Sequence, residues 1–244
     1  MKENKYDDIN FFNQYSQMPR SIGGLKAAGE WPVLQKMLPD LRNKRVLDLG
    51  CGFGWHCQYA VEQGAKSVVG VDISEKMLEV AKKKHQASSV EYKHMAIEDI
   101  DFPADSFDIV VSSLALHYIQ SFNDICKKVN TCLSKGGDFI FSVEHPIFTA
   151  YGEQDWYYDE QGNRMHWPVD RYFDEGTRKA IFLGEEVIKY HKTLTTYVNI
   201  ILKSGFELTG LVEPKADAAF LKAYPDCEDE LRRPMFLIIS ARKK

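Results

Sequence analysis

The sequence predicts an α/β fold assembled from successive strand–helix units, and three observations carry that prediction. The run Val46-Leu47-Asp48-Leu49-Gly50-Cys51-Gly52-Phe53-Gly54 is a short apolar strand that passes into a loop of alternating glycines. A second strand-like run, Lys66–Asp72, follows one helix later and ends in a carboxylate. The length, 244 residues with 44% hydrophobic side chains, suits one α/β domain with an insertion.

The elements follow in order. Phe11–Leu38 reads as helical material that Pro39-Asp40 ends before the first strand. After the second strand, Ser74 caps a helix with Met77, Leu78 and Ala81 on one face and Lys82, Lys83 and Lys84 at its end. A fourth strand runs through Phe107–Val111, and a helix over Asn123–Leu133 precedes a turn at Gly136-Gly137 into a fifth strand, Asp138–Val143. The segment Ala150–Arg178 is crowded with Trp156, Tyr157, Tyr158, Trp167, Tyr172 and Phe173, too aromatic for a disordered linker, and reads as a lid or small cap. Ile181–Leu183 and Val187–Tyr190 around Gly184 resemble a two-stranded flap. Thr193 caps a helix with Leu194, Tyr197, Val198, Ile201 and Leu202 on one face, and Gly205 ends it. Phe206–Val212 and Met235–Ser240 are β-rich runs that fit an antiparallel closing pair. The expectation is one domain over 1–244, with an arm (1–40), a core (41–143), a lid (144–192) and a closing helix and β-hairpin (193–244).

The glycine loop constrains the ligand. Dinucleotide sites space their glycines as G-x-G-x-x-G, whereas this loop reads Gly50-x-Gly52-x-Gly54. S-adenosylmethionine has no phosphate to seat at a helix N-terminus; its ammonium favours carboxylate or carbonyl oxygens and its ribose diol an acidic acceptor. Asp48 at the first strand end biases the loop toward a cation, and Asp72 at the second strand end can accept both ribose hydroxyls. These two motifs, together with Asp105-Ser106-Phe107-Asp108-Ile109-Val110-Val111-Ser112-Ser113, resemble successive motifs of the class I S-adenosylmethionine-dependent methyltransferases, strongly from Arg45 to Val143 and loosely beyond.

The resemblance implies a seven-stranded, mostly parallel, doubly wound sheet with an α+β lid insertion after the fifth strand. It implies S-adenosylmethionine as cofactor and S-adenosylhomocysteine as product. Gly50, Cys51, Gly52 and Gly54 would hold the methionine part, with Ser113 at the end of the fourth-strand motif; Asp72 would hold the ribose, and Ile73 and Met77 would pack near the adenosine. Where many relatives carry an acidic residue for the adenine amino group, this chain has Ala96, which leaves Ile97 and Glu98 for the adenine. From the arm, Tyr15 and Arg20 are placed to close over the cofactor, Arg20 by pairing with its carboxylate.

Candidates for a general base are His191, then His145 and His117, each near an element end on the ligand side; a hydrogen-bonded structural histidine is the ordinary alternative for each. Tyr118 and the lid aromatics are candidate walls of the acceptor site, though such clusters more often form a cap's own core. Arg232 or Arg233 could bind an acidic acceptor, against the simpler reading of a solvated strand entry.

Composition narrows the rest. A formal charge of −4 argues against a nucleic-acid partner, and Ser112-Ser113-Leu114-Ala115-Leu116-His117-Tyr118 stands where related families carry an Asn-Pro-Pro-Tyr-like or Asp-Pro-Pro-Tyr-like element after the fourth strand. A small-molecule acceptor is the expectation, with a homodimer left open. The five cysteines form no CxxC pair, which fits reduced thiols in the cytoplasm and no metal site. No stretch suits a membrane span, and Met1-Lys2-Glu3-Asn4 is too polar for a signal peptide. Two other function classes stay open: a cofactor-binding regulator without turnover, and a nicotinamide oxidoreductase, which the glycine spacing opposes.

Overall fold

The computed structural model describes residues 4–244; Met1, Lys2 and Glu3, read above as part of a polar start, lie outside the described residues. The arm holds three short helices, α1 (Ile9–Ser16), α2 (Pro19–Gly23) and α3 (Trp31–Met37). Strand–helix alternation then runs β1 (Arg45–Leu49), α4 (Trp55–Glu62), β2 (Ser67–Asp72), α5 (Glu75–Lys84), β3 (Val90–His94), β4 (Phe107–Ser113), α6 (Phe122–Cys132) and β5 (Leu133–Glu144). An insertion follows: α7 (Pro146–Ala150), a small hairpin of β6 (Tyr157–Tyr158) and β7 (Arg164–His166), and a longer one of β8 (Gly176–Phe182) and β9 (Glu185–His191). The chain closes with α8 (Leu194–Lys203), β10 (Phe206–Val212), α9 (Ala218–Ala223) and β11 (Phe236–Lys243).

The main sheet has seven strands in the order β10-β11-β5-β4-β1-β2-β3. β1 to β5 are parallel, and β11 runs antiparallel between β5 and β10. Because successive side chains on a strand point to opposite faces, each strand feeds two cores. Leu47, Val110, Phe139 and Phe141 pack on one face against α6 and α8 through Phe122, Val129, Tyr197 and Ile201. Val46, Ile109, Ile140 and Ile238 pack on the other against α3 and α4 through Trp31, Leu34 and Cys57. The expected caps form: Ser74 Oγ accepts from the Met77 N–H (3.2 Å) and Thr193 Oγ1 from the Thr196 N–H (3.1 Å).

Two local expectations are corrected. Gly136-Gly137 is not a turn before the fifth strand; β5 starts directly after α6 and carries the glycines inside a bulge, since Phe107 of β4 pairs with Leu133 but Ile109 with Asp138. The glycines are needed there because Gly136 has φ +73° and a Cβ on Gly137 would lie 2.8 Å from Leu133 Cδ2 and from the Ser134 carbonyl. On α8, Tyr197 and Ile201 are buried as expected, but Leu202 is 46% exposed. Among the described residues, no helix is long and apolar enough to cross a membrane.

Candidate active site

A cavity opens at the C-terminal ends of β1, β2, β4 and β5, the ligand side of an open α/β sheet. The glycine loop forms its floor. Gly50 and Gly52 line it with φ +76° and +52°, and a Cβ on Gly50 would lie 2.5 Å from Ala115 Cβ, so the loop can lie against the segment after β4 only without a side chain. Gly54 does not reach the cavity; it starts α4, where a Cβ would meet the Tyr92 hydroxyl at 2.5 Å.

Asp72 ties this floor together. Its Oδ2 accepts from the Gly52 N–H (2.8 Å) and its Oδ1 from the Ser74 N–H (2.9 Å), and it lines the cavity. Burial raises its pKa against those two N–H groups, and a carboxylate so held keeps lone pairs for two hydroxyls. Asp48 lies behind the loop rather than in the wall. Its Oδ2 accepts from Cys57 Sγ–H (3.4 Å), while its Oδ1 is buried with no partner among the described residues. Burial pushes this carboxyl up to about 7. Cys51 also faces away from the cavity: its sulfur and that of Cys57 pack where Gly70 lacks a Cβ, 2.9 and 2.8 Å from that missing atom. Burial drives the Cys51 thiol far above its ordinary value, which makes it unreactive.

Ile73, Met77, Ile97 and Glu98 line the side of the cavity beyond Asp72, and Ser113 lines it at the end of β4, its hydroxyl accepting from Ser142 Oγ (3.2 Å). Tyr15 and Arg20 reach the wall from the arm. Arg20 is already engaged: its guanidinium donates to Glu30 Oε1 at 2.9 Å, and Glu30 is itself buried. That pair presents the remaining guanidinium N–H groups in a set orientation.

The three histidines separate. His117 lines the cavity; its Nδ1 accepts from the Glu144 N–H (3.4 Å), which places the proton of the neutral ring on Nε2. Burial lowers its pKa to about 4, so the ring is neutral and donates rather than accepts on its second nitrogen. His145 is instead the cap of α7, with Nδ1 accepting from the Ile147 N–H (3.0 Å) and Nε2 2.8 Å from Glu213 Oε1. His191, the first choice from the sequence, has both ring nitrogens occupied: Nε2 donates to the Tyr172 carbonyl (2.9 Å), and Nδ1 accepts from the Thr149 hydroxyl (2.7 Å). Neither His145 nor His191 lines the cavity; each joins the insertion to the sheet.

Several wall residues were not foreseen. Glu144 ends β5 in the wall, and its carboxylate receives Lys189 Nζ of β9 at 2.6 Å and Gln154 Nε2 at 2.7 Å, while Lys189 also donates to Gln154 Oε1 (2.7 Å). An acidic residue at the ligand end of a strand is a signal, but its partner 45 residues away carries none. Tyr6, Phe182, Met235 and Phe236 also line the cavity, beside the expected Tyr118. Phe148, Trp156 and Trp167 of the insertion, by contrast, pack on one another, while Phe173 is 90% exposed. Arg233 stacks its guanidinium 4.0 Å over Trp167 and 4.7 Å over Phe148, and pairs with Glu230 at 2.6 Å. Arg233 is therefore neither an acceptor ligand nor a solvated strand entry. Among the described residues, no cluster of three or more His, Cys, Asp or Glu could hold a metal ion.

Comparison with known proteins agrees with this geometry. Residues 47–141 match a methyltransferase domain family. A candidate S-adenosylmethionine-dependent methyltransferase from Listeria monocytogenes has the same fold (TM-score 0.86) at 60% identity, over 91% of this chain and 99% of that one. An S-adenosylmethionine-dependent methyltransferase from Mesorhizobium loti follows at 44% identity and TM-score 0.84, over 90% of this chain and 100% of that one. An uncharacterized protein of Haemophilus influenzae is 34% identical over 98% of this chain and 96% of its own length. Over shorter stretches the chain is 33% identical to a tRNA U34 carboxymethyltransferase of Hahella chejuensis and to a ubiquinone biosynthesis O-methyltransferase of Coxiella burnetii, spanning 45% and 48% of those proteins.

Proposed function

The chain belongs to the class I S-adenosylmethionine-dependent methyltransferases, and from that premise we propose that it methylates a small organic molecule within the cavity. It is an enzyme whose cofactor is S-adenosylmethionine and whose product from it is S-adenosylhomocysteine. The observation that carries the proposal is the aromatic part of the cavity wall. Tyr6 from the arm, Tyr118 after β4, Phe182 of the β8–β9 hairpin and Phe236 of β11 converge there from four separate parts of the chain. A wall built this way suits a compact, partly apolar acceptor. The curated relative that acts on tRNA shares only part of its length with this chain, and the formal charge of −4 gives a nucleic-acid backbone little to bind.

The residues fit the cofactor: a buried carboxylate oxygen without a partner, a loop that a Cβ would fill, and a strand-end carboxylate in the wall. Asp72 would accept the ribose hydroxyls, and Asp48 would favour the ammonium through its field from behind the loop. Arg20 would pair with the carboxylate. Ile73 and Met77 would pack against the adenosine, with Ile97 and Glu98 at the adenine. When bound, the cofactor supplies a methyl group already activated by its sulfonium. The protein then has to align the acceptor, hold it still and exclude water, roles open to Tyr6, Tyr15 and Phe182 of the hairpin, which line the cavity. We read the whole chain as one catalytic unit, with residues 144–192 as its lid.

Calorimetry with S-adenosylmethionine, S-adenosylhomocysteine and NAD should show binding of the first two alone. Asp72→Ala should weaken the first by roughly 1–3 kcal/mol, the scale of a hydrogen bond to a charged group; an unchanged dissociation constant removes Asp72 from the ribose. With methyl-labelled cofactor, label should enter the low-mass fraction of a cell extract. Label confined to tRNA or protein sinks the small-molecule reading.

A further inference from the structure

We infer that the acceptor is an amine, seated between the rings of Tyr6, Tyr15 and Tyr118 and the carboxylate of Glu144, and that it attacks as a free base without giving a proton to the protein. This deepens the small-molecule reading and rests on it. Three features of the cavity converge on the inference.

The first is shape. Tyr6, Tyr15 and Tyr118 all line the cavity, and the planes of Tyr15 and Tyr118 are both perpendicular to that of Tyr6 (88° and 90°, centroids 5.1 and 6.3 Å away). The Tyr6 and Tyr118 hydroxyls lie 3.4 Å apart. Aromatic walls meeting at right angles offer a cation π-faces, ring edges and phenolic oxygens together, a combination that suits an ammonium or methylammonium group.

The second is charge. With Asp72, Glu98 and the Glu30-paired Arg20 given to the cofactor, the charged group left in the wall for the acceptor is Glu144. Lys189 balances Glu144 without lining the cavity, so the cavity side of that pair shows the carboxylate. A carboxylate or phosphate acceptor would meet like charge in a partly desolvated space; an amine meets the opposite.

The third is the want of a base. His117 is neutral with Nδ1 occupied by the Glu144 N–H. Against its burial, the Lys189 ammonium and the Gln154 amide hold Glu144 below the usual carboxylate range, and both its oxygens are engaged. Burial pushes Tyr6 well above ordinary tyrosine. An alcohol or ordinary phenol would therefore find no group among these to take its proton. An amine needs none: it sheds its proton to water and attacks through its lone pair, and the tyrosines and Glu144 meet the positive charge that forms on nitrogen. The nitrogen–carbon bond forms as the carbon–sulfur bond breaks, and sulfur keeps the bonding pair. The product is a methylammonium that carries its positive charge to the Glu144 side and releases its proton in solution.

The test uses the full chain loaded with S-adenosylhomocysteine. Choline and its uncharged isostere 3,3-dimethylbutan-1-ol are titrated in parallel by calorimetry. Choline should bind at least about tenfold tighter, and Tyr118→Leu and Glu144→Gln should each erase most of that preference. Equal affinities, or no choline binding at roughly 50 mM, overturn the inference whatever the variants do. A turnover arm compares phenethylamine, 2-phenylethanol and phenylacetate with labelled cofactor. Label on the amine supports the inference. Label on the alcohol or the acid overturns it but leaves the small-molecule reading standing, whereas label found only on tRNA in a parallel assay removes both. If none is turned over, the choline ratio decides.

Discussion

The glycine-loop side of this cavity and the side walled by the arm, Glu144 and the insertion are built on different physical principles. Around the glycine loop, position is set by backbone: parallel ladders of β1 with β2 and β4, main-chain bonds from Gly50 and Cys51 to the Val71 carbonyl (2.9 and 3.0 Å), and one carboxylate, Asp72, across the joint. The other side is assembled from side chains on remote segments, the Glu144–Lys189–Gln154 triangle and the tyrosines of the arm, with His191 behind it holding α7 to the carbonyl before Phe173. Backbone ladders tolerate little variation, whereas side-chain assemblies can be exchanged piece by piece. On the proposed assignment, the contrast makes donor binding a property of the fold and acceptor choice a property of contacts laid over it.

Four changes would break or sharpen that contrast, from the largest expected effect downward. Lys189→Met leaves Glu144 buried without its cation and should cost about 3–5 kcal/mol of stability; in denaturant titrations of the survivor, cofactor affinity should stay within about twofold. A parallel fall in cofactor affinity would show the halves to be one unit. Gly50→Ala should do the reverse, costing roughly 2–4 kcal/mol through positive φ and overlap with Ala115 and removing calorimetric cofactor binding. Normal binding by this variant would show that the loop can relax.

Asp48→Asn tests the orphaned carboxylate through pH. Burial raises Asp48 from 3.8 to about 7, so the folded state holds a proton that the unfolded state has released. The penalty is absent below the unfolded value, grows as pH rises, and is complete above the folded one. The full penalty near pH 8 is about 4 kcal/mol, part of which the buried asparagine amide gives back, so Asp48→Asn should stabilise the cofactor-free protein by roughly 1–2 kcal/mol near pH 8 and change little near pH 4, while weakening cofactor binding. Thermal melts across pH check the sign; equal shifts at both ends would show that Asp48 does not titrate differently on folding. His191→Gln should have the smallest effect, about 1 kcal/mol of stability with turnover nearly intact, because its two hydrogen bonds are structural. A tenfold fall in kcat at unchanged stability would return His191 to the reaction.

The same contrast explains what the sequence could disclose. Strand, glycine loop, Ser74 cap and strand-end carboxylate are signals that fit within about ten residues, and each has its counterpart in the structure. Asp72, Met77 and Ile97, which the resemblance put near the cofactor, line the cavity. His191 misled because its partners, Thr149 and Tyr172, are 42 and 19 residues away and nothing local shows that both ring nitrogens are taken. Tyr6 gave no signal at all, since its neighbours Tyr15 and Tyr118 meet it only once the arm has folded over the sheet. Gly136-Gly137 was legible as a break but not as a bulge, because the distinction lies in the register of β4 against β5.

The place of β11 has a consequence for how the molecule is made. It lies between β5 and β10, pairing Leu237 with Val143 and Ile239 with Phe141 on one side and Leu211 on the other. During synthesis, β5 therefore waits with an open hydrophobic edge while the whole insertion, α8 and β10 leave the ribosome. Pairing across nearly a hundred residues is slow, and an unpaired apolar edge invites association with other chains. Expression at low temperature or with chaperones should thus raise the yield of soluble protein more than stabilising substitutions in the finished core.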